Sequence, residues 1–369
     1  MSIDQFDYPF LEEQIANKLT NPRDHSKLML LNRQTKQIFH HYFYNLPDLI
    51  DCQNTVLVLN QTKVFPARLF GQKETGGKVE ILLLKALSQT SWEIMSKPRL
   101  KLGQQIIFGN DLKAKVIAID ENEGYPQLEF NYNYQDFIIK INQIGITPIP
   151  PYIKTEETEQ KLRHEYQTIF AKNLGSSAAP TAGLHFTKRL LEELRNKGTQ
   201  IEYITLHVGP GTFQNLRPEN LKEKKLHTED YEIDQKTAIN LNTAKEQDKK
   251  IIAVGTTTTR TLESNVLIDK LQNNVISNEC EKSYSITAQK ASTDIFIYPP
   301  YQFKFIDGLI TNFHLPKSSL LMLVSAFVSA PQSQDKFENF EKSLVGQAYQ
   351  KALENNYRFY SFGDAMLII

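Results

Sequence analysis

Strand and helix patterns alternate along the sequence after Lys161, and this alternation is the feature that most restricts the possible folds. The segment KRLLEELRNKG predicts a helix with Leu190, Leu191 and Leu194 on one face. The segments IEYITLHV, KTAINLNTAK and KIIAV follow as strand, helix and strand, and further along DGLITNFH predicts a strand and SSLLMLVSAFV a buried helix. Such alternation favours an α/β fold with a mixed sheet and crossover helices.

A block of short β-rich runs lies between residues 67 and 150. RLFGQK, KVEILLLKAL, SWEIMSK and AKVIAID stand at hairpin spacing, with glycine, asparagine and aspartate between them. We therefore predict an inserted small antiparallel β-barrel domain at 67–150, and a main α/β catalytic domain formed by 1–66 together with 151–369. A length of 369 residues suits two domains. Before this block, LEEQIANKL places Leu11, Ile15 and Leu19 four apart and predicts a short amphipathic helix.

Charge and cysteine content narrow the classes of partner and compartment. Lys plus Arg equals Asp plus Glu at 42 each, so a polyanionic partner requires a local basic patch, of which Lys97, Arg99 and Lys101 form the best example. The two cysteines are far apart, which predicts neither a disulfide framework nor a thiolate metal site and fits a reducing cytosol. The first residues are acidic where a secretory signal is basic, and the longest apolar run is shorter than the roughly 20 residues that span a bilayer. We expect a cytoplasmic protein with no membrane partner.

Three histidines stand at junctions between strands and loops. His185 lies in SSAAPTAGLHFT, His207 in ITLHVGPGTF and His314 in ITNFHLPKSS. Ligands bind outside the carboxyl ends of strands in open α/β sheets, so the three side chains are expected to share one crevice. Imidazole also titrates in the range that suits proton transfer near neutral pH. The alternative is that each histidine is a satisfied residue of a turn or of the core.

A fourth strand end, VGTTTTRTLES, predicts a ligand site at the start of a helix. Gly255 and the four threonines after it present free backbone amides and hydroxyls, which suit an anion or a polar ligand. Arg260 and Glu263 lie three residues apart on that helix and either reach the same ligand or pair with each other. The alternative is that one threonine caps the helix and the others are tolerated.

Several tempting motifs are absent from the sequence. GQKETGGKV lacks the lysine placement of a phosphate-binding loop and is typical of a hairpin turn. HVGPGTF lacks the last glycine of a dinucleotide-binding fingerprint, and GSSAAP is not a nucleophile elbow. The sequence therefore predicts no metal, no flavin or nicotinamide site and no covalent serine.

Taken in order, these stretches resemble the S-adenosylmethionine:tRNA ribosyltransferase-isomerase family of queuosine biosynthesis. The resemblance covers essentially the whole chain and is carried by FDYPFLEEQIA, NQTKVFPARLFG, AAPTAGLHFT, TLHVGPGTF, AVGTTTTRTLES and TNFHLPKSSLLMLVSAF. The sequence departs from the family pattern at Gln61, Pro210 and Pro300. The departure at Gln61 speaks against a direct role for that side chain.

The resemblance implies a reaction that consumes S-adenosylmethionine. Its ribosyl part is transferred to the aminomethyl group of 7-aminomethyl-7-deazaguanine at the tRNA wobble position and isomerised, giving epoxyqueuosine tRNA, adenine and methionine. We expect no metal and a monomer, and the matching strand-end positions of His185, His207 and His314 lead us to expect the catalytic base and acid among them. The residues expected to bind S-adenosylmethionine are Thr181, Gly183, Gly209, Gly211, Thr212, Gly255, Thr256, Thr257, Arg260, Glu263 and Asn312. Those expected to contact the substrate base or the tRNA are Asn60, Thr62, Arg68, Lys97, Arg99, Lys101 and Asp294.

Two broader functions are alternatives to this one, a methyltransferase and a non-catalytic RNA-binding module. An ordinary S-adenosylmethionine-dependent RNA methyltransferase is expected to carry a glycine-rich loop after its first strand, and the sequence has none there. A non-catalytic RNA-binding module built on the barrel is expected to alternate aromatic and basic residues along its strands. In this chain Tyr132 and Tyr134 lie among asparagines, and such a module leaves the junction histidines without a role.

Overall fold

The computed structural model describes residues 1–109, 111–120, 124–209, 216, 218–270 and 282–369, so that the predicted ligand residues Gly211 and Thr212 lie outside the described residues. The strands in these ranges are β1 Lys27–Asn32, β2 Gln37–Tyr42, β3 Thr55–Asn60, β4 Thr62–Val64, β5 Arg68–Lys73, β6 Lys78–Ala86, β7 Ser91–Lys97, β8 Gln105–Ile107, β9 Lys113–Ile119, β10 Pro126–Phe130, β11 Asn173–Ser176, β12 Gln200–Leu206, β13 Lys225–Ile233, β14 Lys250–Val254, β15 Val266–Lys270, β16 Lys282–Ile286, β17 Gln289–Ile295, β18 Gly308–Asn312 and β19 Ala365–Ile368. The helices are α1 Leu46–Leu49, α2 Tyr134–Ile144, α3 Glu159–Glu165, α4 Lys188–Asn196, α5 Pro218–Glu223, α6 Gln235–Glu246, α7 Thr256–Asn265, α8 Ser319–Val328 and α9 Leu344–Glu354.

Nine of the described strands form one mixed sheet in the order β17-β13-β12-β3-β14-β18-β19-β1-β2. At its centre β12, β3, β14 and β18 run parallel, and β19 runs parallel to β1. The remaining neighbours in the sheet are antiparallel. The parallel strands of the centre therefore all end at the same edge of the sheet, which we call the carboxyl edge.

Both faces of the main sheet are buried, as the continuous apolar run of β3 predicts. Val56 and Val58 point into one hydrophobic cluster, which includes residues of α6, α8 and α9. Leu57 and Leu59 point into a second cluster, which includes residues of α4. Because successive side chains of a strand alternate between faces, the central strand needs apolar residues at every position.

The β-rich block folds into a closed antiparallel barrel with the strand order β10-β7-β6-β5-β8-β9. Its interior is a separate hydrophobic cluster around Ile81, Trp92 and Val116, and α2 contributes Phe137 and Ile141 to that cluster. The mixed α/β sheet and the antiparallel barrel confirm the predicted fold class.

Polar side chains at helix starts define where the predicted helices begin. Thr187 accepts a hydrogen bond from the backbone N–H of Leu190 at the start of α4, and Ser318 accepts one from Leu321 at the start of α8. A capping side chain satisfies one of the free N–H groups that every helix start exposes. Both helices begin within a residue or two of the predicted starts.

The helix predicted between Leu11 and Leu19 is wrong. This segment forms only a 3₁₀ turn at Glu12–Gln14, after which Ile15 pairs with Phe359 in a parallel bridge. The backbone N–H of Ala16 then donates to the carbonyl of Phe359 at 3.1 Å. Leu11, Ile15 and Leu19 therefore do not share a helical face, because pairing with a distant segment outweighs a weak local helix preference.

No helix in the described ranges is long and apolar enough to cross a membrane.

Candidate functional site

A narrow cleft lies at the carboxyl edge, where the parallel strands end. The residues that line this strand-end cleft are Tyr152, Ala179–Ala182, Val208, Gly255–Thr257, Thr311, Asn312, His314, Leu320, Tyr360 and Ser361. The cleft has a volume of about 40 Å³, room for very few water molecules. A nucleoside-sized ligand therefore requires its walls to move apart. The small residues before His185 form one of these walls, as the sequence Ala179–Ala182 suggests.

The start of α7 presents free backbone amides to this cleft. Gly255 is the N-cap residue with φ of 91°, a conformation that side-chain-bearing residues rarely adopt, and no side chain caps the helix. Thr256 and Thr257 line the cleft. Thr258 donates instead to the carbonyl of Val254 at 2.8 Å, within its own turn. Thus none of the threonines is an N-cap, and the first two lie where a polar ligand can reach the helix start.

His185 lies behind the cleft and bonds Asn312, a residue of the cleft wall. Its ring is stacked on Phe43 and is 3% exposed. Asn312 Nδ2 donates to His185 Nε2 at 3.2 Å, which assigns the ring proton to Nδ1, and Nδ1 then donates to Ser26 Oγ at 2.7 Å. On the cleft side, Thr181 Oγ1 donates to Asn312 Oδ1 at 3.0 Å. His185 therefore orients Asn312, which itself lines the cleft.

His314 lines the cleft directly, and its backbone is fixed on both sides. Its N–H donates to the Tyr349 hydroxyl at 2.9 Å, and its carbonyl accepts from the Tyr8 hydroxyl at 2.6 Å. The ring Nε2 lies 2.8 Å from Thr311 Oγ1. Burial lowers the pKa of His314 to about 3, so that the ring is neutral at physiological pH.

The two buried histidines predict that the protein loses stability in mild acid. Burial lowers the pKa of His185 to about 3, as it does for His314, from an ordinary value of 6.5. As pH falls from 7 to 5 the unfolded chain binds protons at both rings and the folded protein does not. The free energy of unfolding is therefore expected to fall by about 2 kcal/mol for each histidine. Urea unfolding at pH 7 and pH 5 measures this change, and His314→Gln should remove about half of it. An equal pH dependence in that variant contradicts the assignment.

His207 lines a second, wider cleft, and the next residue, Val208, lines the strand-end cleft. Thr62 Oγ1 lies 2.8 Å from its Nδ1, while no described residue bonds its Nε2. Burial lowers its pKa below the ordinary value, against the opposing charges of Asp230 and Glu232. The ring packs so closely on Gly175 that an added Cβ there would lie 2.7 Å from the imidazole. Glycine at 175 therefore makes room for the ring.

The second cleft, here named the barrel cleft, lies between the barrel and β12–β13 and has a volume of about 560 Å³. The barrel side provides Trp92, Tyr125 and Tyr134, and the sheet side provides His207 and Gly209. The rings of Trp92 and Tyr134 are stacked with centroids 6.1 Å apart. Aromatic rings in an open cleft are typical of sites that take nucleobases.

One ion pair spans the barrel cleft. Lys85 on β6 places its Nζ 2.9 Å and 2.8 Å from the two carboxylate oxygens of Asp230 on β13, and Ser292 Oγ donates to the same carboxylate at 2.6 Å. Partial burial acts to raise the pKa of Asp230, but the hydrogen bonds from Lys85 and Ser292 lower it below its usual value. Asp230 is therefore charged at neutral pH, next to His207.

A small buried cavity containing Arg260 lies between the two clefts. Leu320 lines both this cavity and the strand-end cleft, and Glu229 lines both this cavity and the barrel cleft. Arg260 Nη1 forms an ion pair with Glu229 Oε2, and Glu229 Oε1 accepts from the backbone N–H of Gly209 at 2.9 Å. Arg260 Nη2 is buried and has no hydrogen-bond partner among the described residues. The arginine therefore retains donor capacity for a ligand.

Of the other predicted site residues, Asn60 and Gly183 lie at or behind the strand-end cleft, and Asp294 lies away from it. Asn60 bonds Leu206 and Thr257 at the carboxyl edge, and thereby joins β3 to β12 and α7. Gly183, behind the cleft, packs against Phe170 so closely that a Cβ would lie 2.9 Å from its ring. Asp294, in contrast, pairs with Lys225 at 2.7 Å on strand β17 at the edge of the sheet.

Glu263 and Arg260 do not pair with each other, which was one of the two predicted alternatives. Its carboxylate accepts backbone N–H groups of Lys304, Phe305 and Ile306 at 3.0–3.3 Å. Burial raises the pKa of Glu263 despite these hydrogen bonds. The carboxylate therefore fixes a buried loop, and it does not line the strand-end cleft.

Arg68 and the basic patch lie on different strands of the barrel, β5 and the end of β7, and Glu80 of β6 pairs with Lys97 in the sheet and forms an ion pair with Arg68. Arg68 Nη2 donates to the carbonyl of Ile149 at 2.8 Å, on the side of the main sheet. Lys97, Arg99 and Lys101 are exposed beyond the far end of β7. Tyr152, Tyr360 and Ser361 also line the strand-end cleft and were not predicted from the sequence, where no motif marks them.

No group of three or more histidine, cysteine, aspartate or glutamate side chains is arranged to hold a metal ion among the residues described.

The chain is similar to known proteins along its whole length. The model of a family described as "Queuosine biosynthesis protein" matches residues 3–368. The chain is 45% identical to an S-adenosylmethionine:tRNA ribosyltransferase-isomerase of Halothermothrix orenii and 42% identical to one of Staphylococcus saprophyticus, each over 100% of both chains. The crystal structure of an S-adenosylmethionine tRNA ribosyltransferase from Thermotoga maritima is 32% identical, covers 99% of this chain and 100% of that one, and has a TM-score of 0.50.

Proposed function

The chain belongs to the queuosine biosynthesis protein family, and from this premise we propose how its site carries out the reaction. The protein is an S-adenosylmethionine:tRNA ribosyltransferase-isomerase. It transfers the ribosyl moiety of S-adenosylmethionine to 7-aminomethyl-7-deazaguanine in tRNA and isomerises it, giving epoxyqueuosine tRNA, adenine and methionine. The observation that carries this function is the full-length identity of 42–45% to proteins of that name. We place the reaction in the cytoplasm, on a monomeric enzyme.

We assign the strand-end cleft to the adenosyl part of S-adenosylmethionine. Thr181, Asn312 and the start of α7 supply donors and acceptors at one edge of the sheet, where α/β folds hold nucleotides. Gly255 and the small residues at 179–182 let the backbone approach a bulky ligand closely. Neither Gly211 nor Thr212 enters this assignment, because both lie outside the described residues.

We assign Arg260 to the carboxylate of the methionyl part. The cavity around Arg260 adjoins the strand-end cleft through Leu320, so an extended ligand can reach it from there. The unpartnered Nη2 offers a further hydrogen bond from a guanidinium that already bonds Glu229 and the carbonyl of Ile295.

We assign the barrel cleft to the modified wobble base, taken out of the anticodon loop. Tyr125 and Tyr134, which are half-buried, offer aromatic surfaces for bases, and single-stranded loops are the usual target of base-specific RNA recognition. Asp230 and Glu229 provide acceptors for the donors of the guanine edge. The aminomethyl group reaches the ribosyl carbon past His207 and Val208 once the walls of the strand-end cleft have moved apart.

Of the three predicted catalytic histidines, we propose that His207 transfers the proton. The reaction needs a proton removed beside the sulfonium and an amine held unprotonated as nucleophile. His207 lines the barrel cleft next to Val208 of the strand-end cleft, with Nε2 unbonded among the described residues, and the other two histidines are less than 10% exposed. We assign His314 to a neutral hydrogen-bonding role at the cofactor and His185 to positioning Asn312.

The exposed patch of Lys97, Arg99 and Lys101 is proposed to contact the anticodon stem. Trp92 of the barrel cleft and Lys97 lie five residues apart on β7, which corresponds to roughly 17 Å of strand. That distance suits a duplex leading away from a base held in the cleft.

Reversing these three charges to glutamate is expected to weaken tRNA binding and its salt dependence. Loss of three phosphate contacts lowers the slope of log Kd against log salt by about 3. Filter binding from low to moderate salt measures both quantities. The matched control reverses Lys197, Lys249 and Lys250, which lie at the opposite edge of the main sheet. Equal losses in the two triple variants would place the stem elsewhere.

Nucleoside mass spectrometry tests the function itself. Purified protein is incubated with S-adenosylmethionine and tRNA that carries 7-aminomethyl-7-deazaguanine, and the released adenine and methionine are assayed. Epoxyqueuosine with both by-products is the expected result. A methylated base with S-adenosylhomocysteine would support the methyltransferase alternative, and no change in the tRNA would contradict both.

A further inference from the structure

Tyr360 has a backbone conformation that is rare for its residue type. Its φ is 74°, in the left-handed region that glycine and asparagine adopt readily and bulky residues avoid. Residues held in this way persist where the surrounding structure fixes them, and they are concentrated at ligand sites. The side chain of Tyr360 lines the strand-end cleft.

The surroundings of Tyr360 impose this conformation from both sides. Its N–H donates to the carbonyl of Phe313, and its own carbonyl accepts from the N–H of Gly363, both at 3.0 Å. Gly363 is packed so tightly that a Cβ would lie 2.4 Å from the carbonyl oxygen of Arg358. The carboxylate of Asp364 then accepts from the N–H of Arg358 at 2.8 Å and closes the loop.

The ring of Tyr360 packs against the ring of a second residue that lines the cleft. Tyr152 contacts Tyr360 edge-on, with ring centroids 4.0 Å apart and planes at 72°. The Tyr152 hydroxyl lies 2.8 Å from Ser361 Oγ, which holds the supporting ring in place. Apart from His314, these are the aromatic side chains that line the cleft among the described residues.

We propose that Tyr360 is a specificity-determining residue whose ring is the platform for the adenine base of S-adenosylmethionine, and that Tyr152 fixes the tilt of this platform. Adenine is the one planar aromatic group of that ligand, and stacking on an aromatic side chain recognises the face of a base. Because the cleft is nearly closed, the base enters by separating the Tyr360 ring from the wall formed by Thr256 and Thr257. The proposal rests on the assignment of this cleft to the adenosyl group.

Binding and kinetics of Tyr360 variants test the platform. Tyr360→Asn suits the left-handed backbone but removes the ring, and Tyr360→Phe keeps the ring but removes the hydroxyl. The Asn variant is expected to raise both KM for S-adenosylmethionine and Kd for S-adenosylhomocysteine about tenfold, with a smaller change in kcat. The Phe variant should stay within about threefold of wild type on both. Tyr357→Leu is the matched control, since Tyr357 is buried on the same segment and lies outside the cleft.

The outcomes separate this proposal from the function it rests on. Wild-type protein that releases no adenine refutes the function, whatever the variants do. With active wild type, an unchanged KM in Tyr360→Asn overturns the platform, as does a Phe variant that loses as much as the Asn variant. An equal loss in Tyr357→Leu overturns it too, because the effect then follows general stability. If Tyr360→Asn does not fold, Tyr360→Leu is measured in its place against the same thresholds.

Discussion

Replacing His207 with glutamine is expected to lower kcat by about 100-fold or more while S-adenosylmethionine binds within about threefold of its wild-type affinity. The glutamine keeps a polar side chain of similar reach but accepts no proton. Since His207 lines the barrel cleft and not the strand-end cleft, its loss removes proton transfer and leaves the strand-end cleft intact. Single-turnover rates of adenine release, with Kd measured separately, give both numbers.

The pH profile and the neighbour Thr62 provide the controls for this result. A base works when unprotonated, so the rate rises with pH, and because burial lowers the pKa of His207 the midpoint of this rise lies below the ordinary histidine value of 6.5. Thr62→Val removes the partner of Nδ1 and is expected to lower kcat about tenfold, with recovery in Thr62→Ser. Wild-type rates in His207→Gln, combined with large losses in His314→Gln, would reassign the proton transfer to His314.

Replacing Arg260 with methionine is expected to destabilise the protein by about 3–5 kcal/mol, because Glu229 is left buried without its cation. Both side chains are less than 10% exposed, so water cannot take the place of the guanidinium. The same variant is expected to raise KM for S-adenosylmethionine about tenfold or more through loss of the bond to its carboxylate. Urea unfolding and steady-state kinetics measure the two effects.

The double variant Arg260→Met with Glu229→Gln separates stability from ligand binding. Neutralising Glu229 removes the unpaired buried charge, so most of the lost stability should return. The affinity for S-adenosylmethionine should not return, since the guanidinium is still absent. A double variant that recovers both quantities would show that Arg260 serves only the ion pair, and the carboxylate assignment would be withdrawn.

The elements of the fold that could be predicted are those whose signal is local. The apolar run of β3, the Leu190–Leu194 face of α4 and the hairpins of the barrel all follow from spacing within a few residues. The junctions at Gly255 and His314 could be placed at one edge because strand-to-helix alternation implies parallel strands. The predicted helix at Leu11–Leu19 failed because a long-range bridge at Ile15 decides that segment.

The partners of the site residues could not be predicted, because they depend on tertiary contacts. Nothing near Arg260 in the sequence indicates that Glu229 on β13 takes its first bond, or that the carboxylate of Glu263 turns to the backbone of Lys304–Ile306. Tyr152 and Tyr360 reach one cleft from segments more than 200 positions apart, and the left-handed backbone of Tyr360 is imposed from outside its own turn. Residue type and spacing in the sequence do not indicate such contacts.

The place of β19 inside the main sheet has a consequence for how the protein is made on the ribosome. In the sheet, β1 pairs with β2 on one side and with β19 on the other, where Leu28 is opposite Ala365. The β1–β2 hairpin therefore emerges early and stays unattached until β19 has been synthesised, while the barrel, whose strands are close in sequence, can close long before. A nascent chain cut before Ala365 exposes two open strand edges, at β18 and at β1, and is expected to need a chaperone to remain unaggregated.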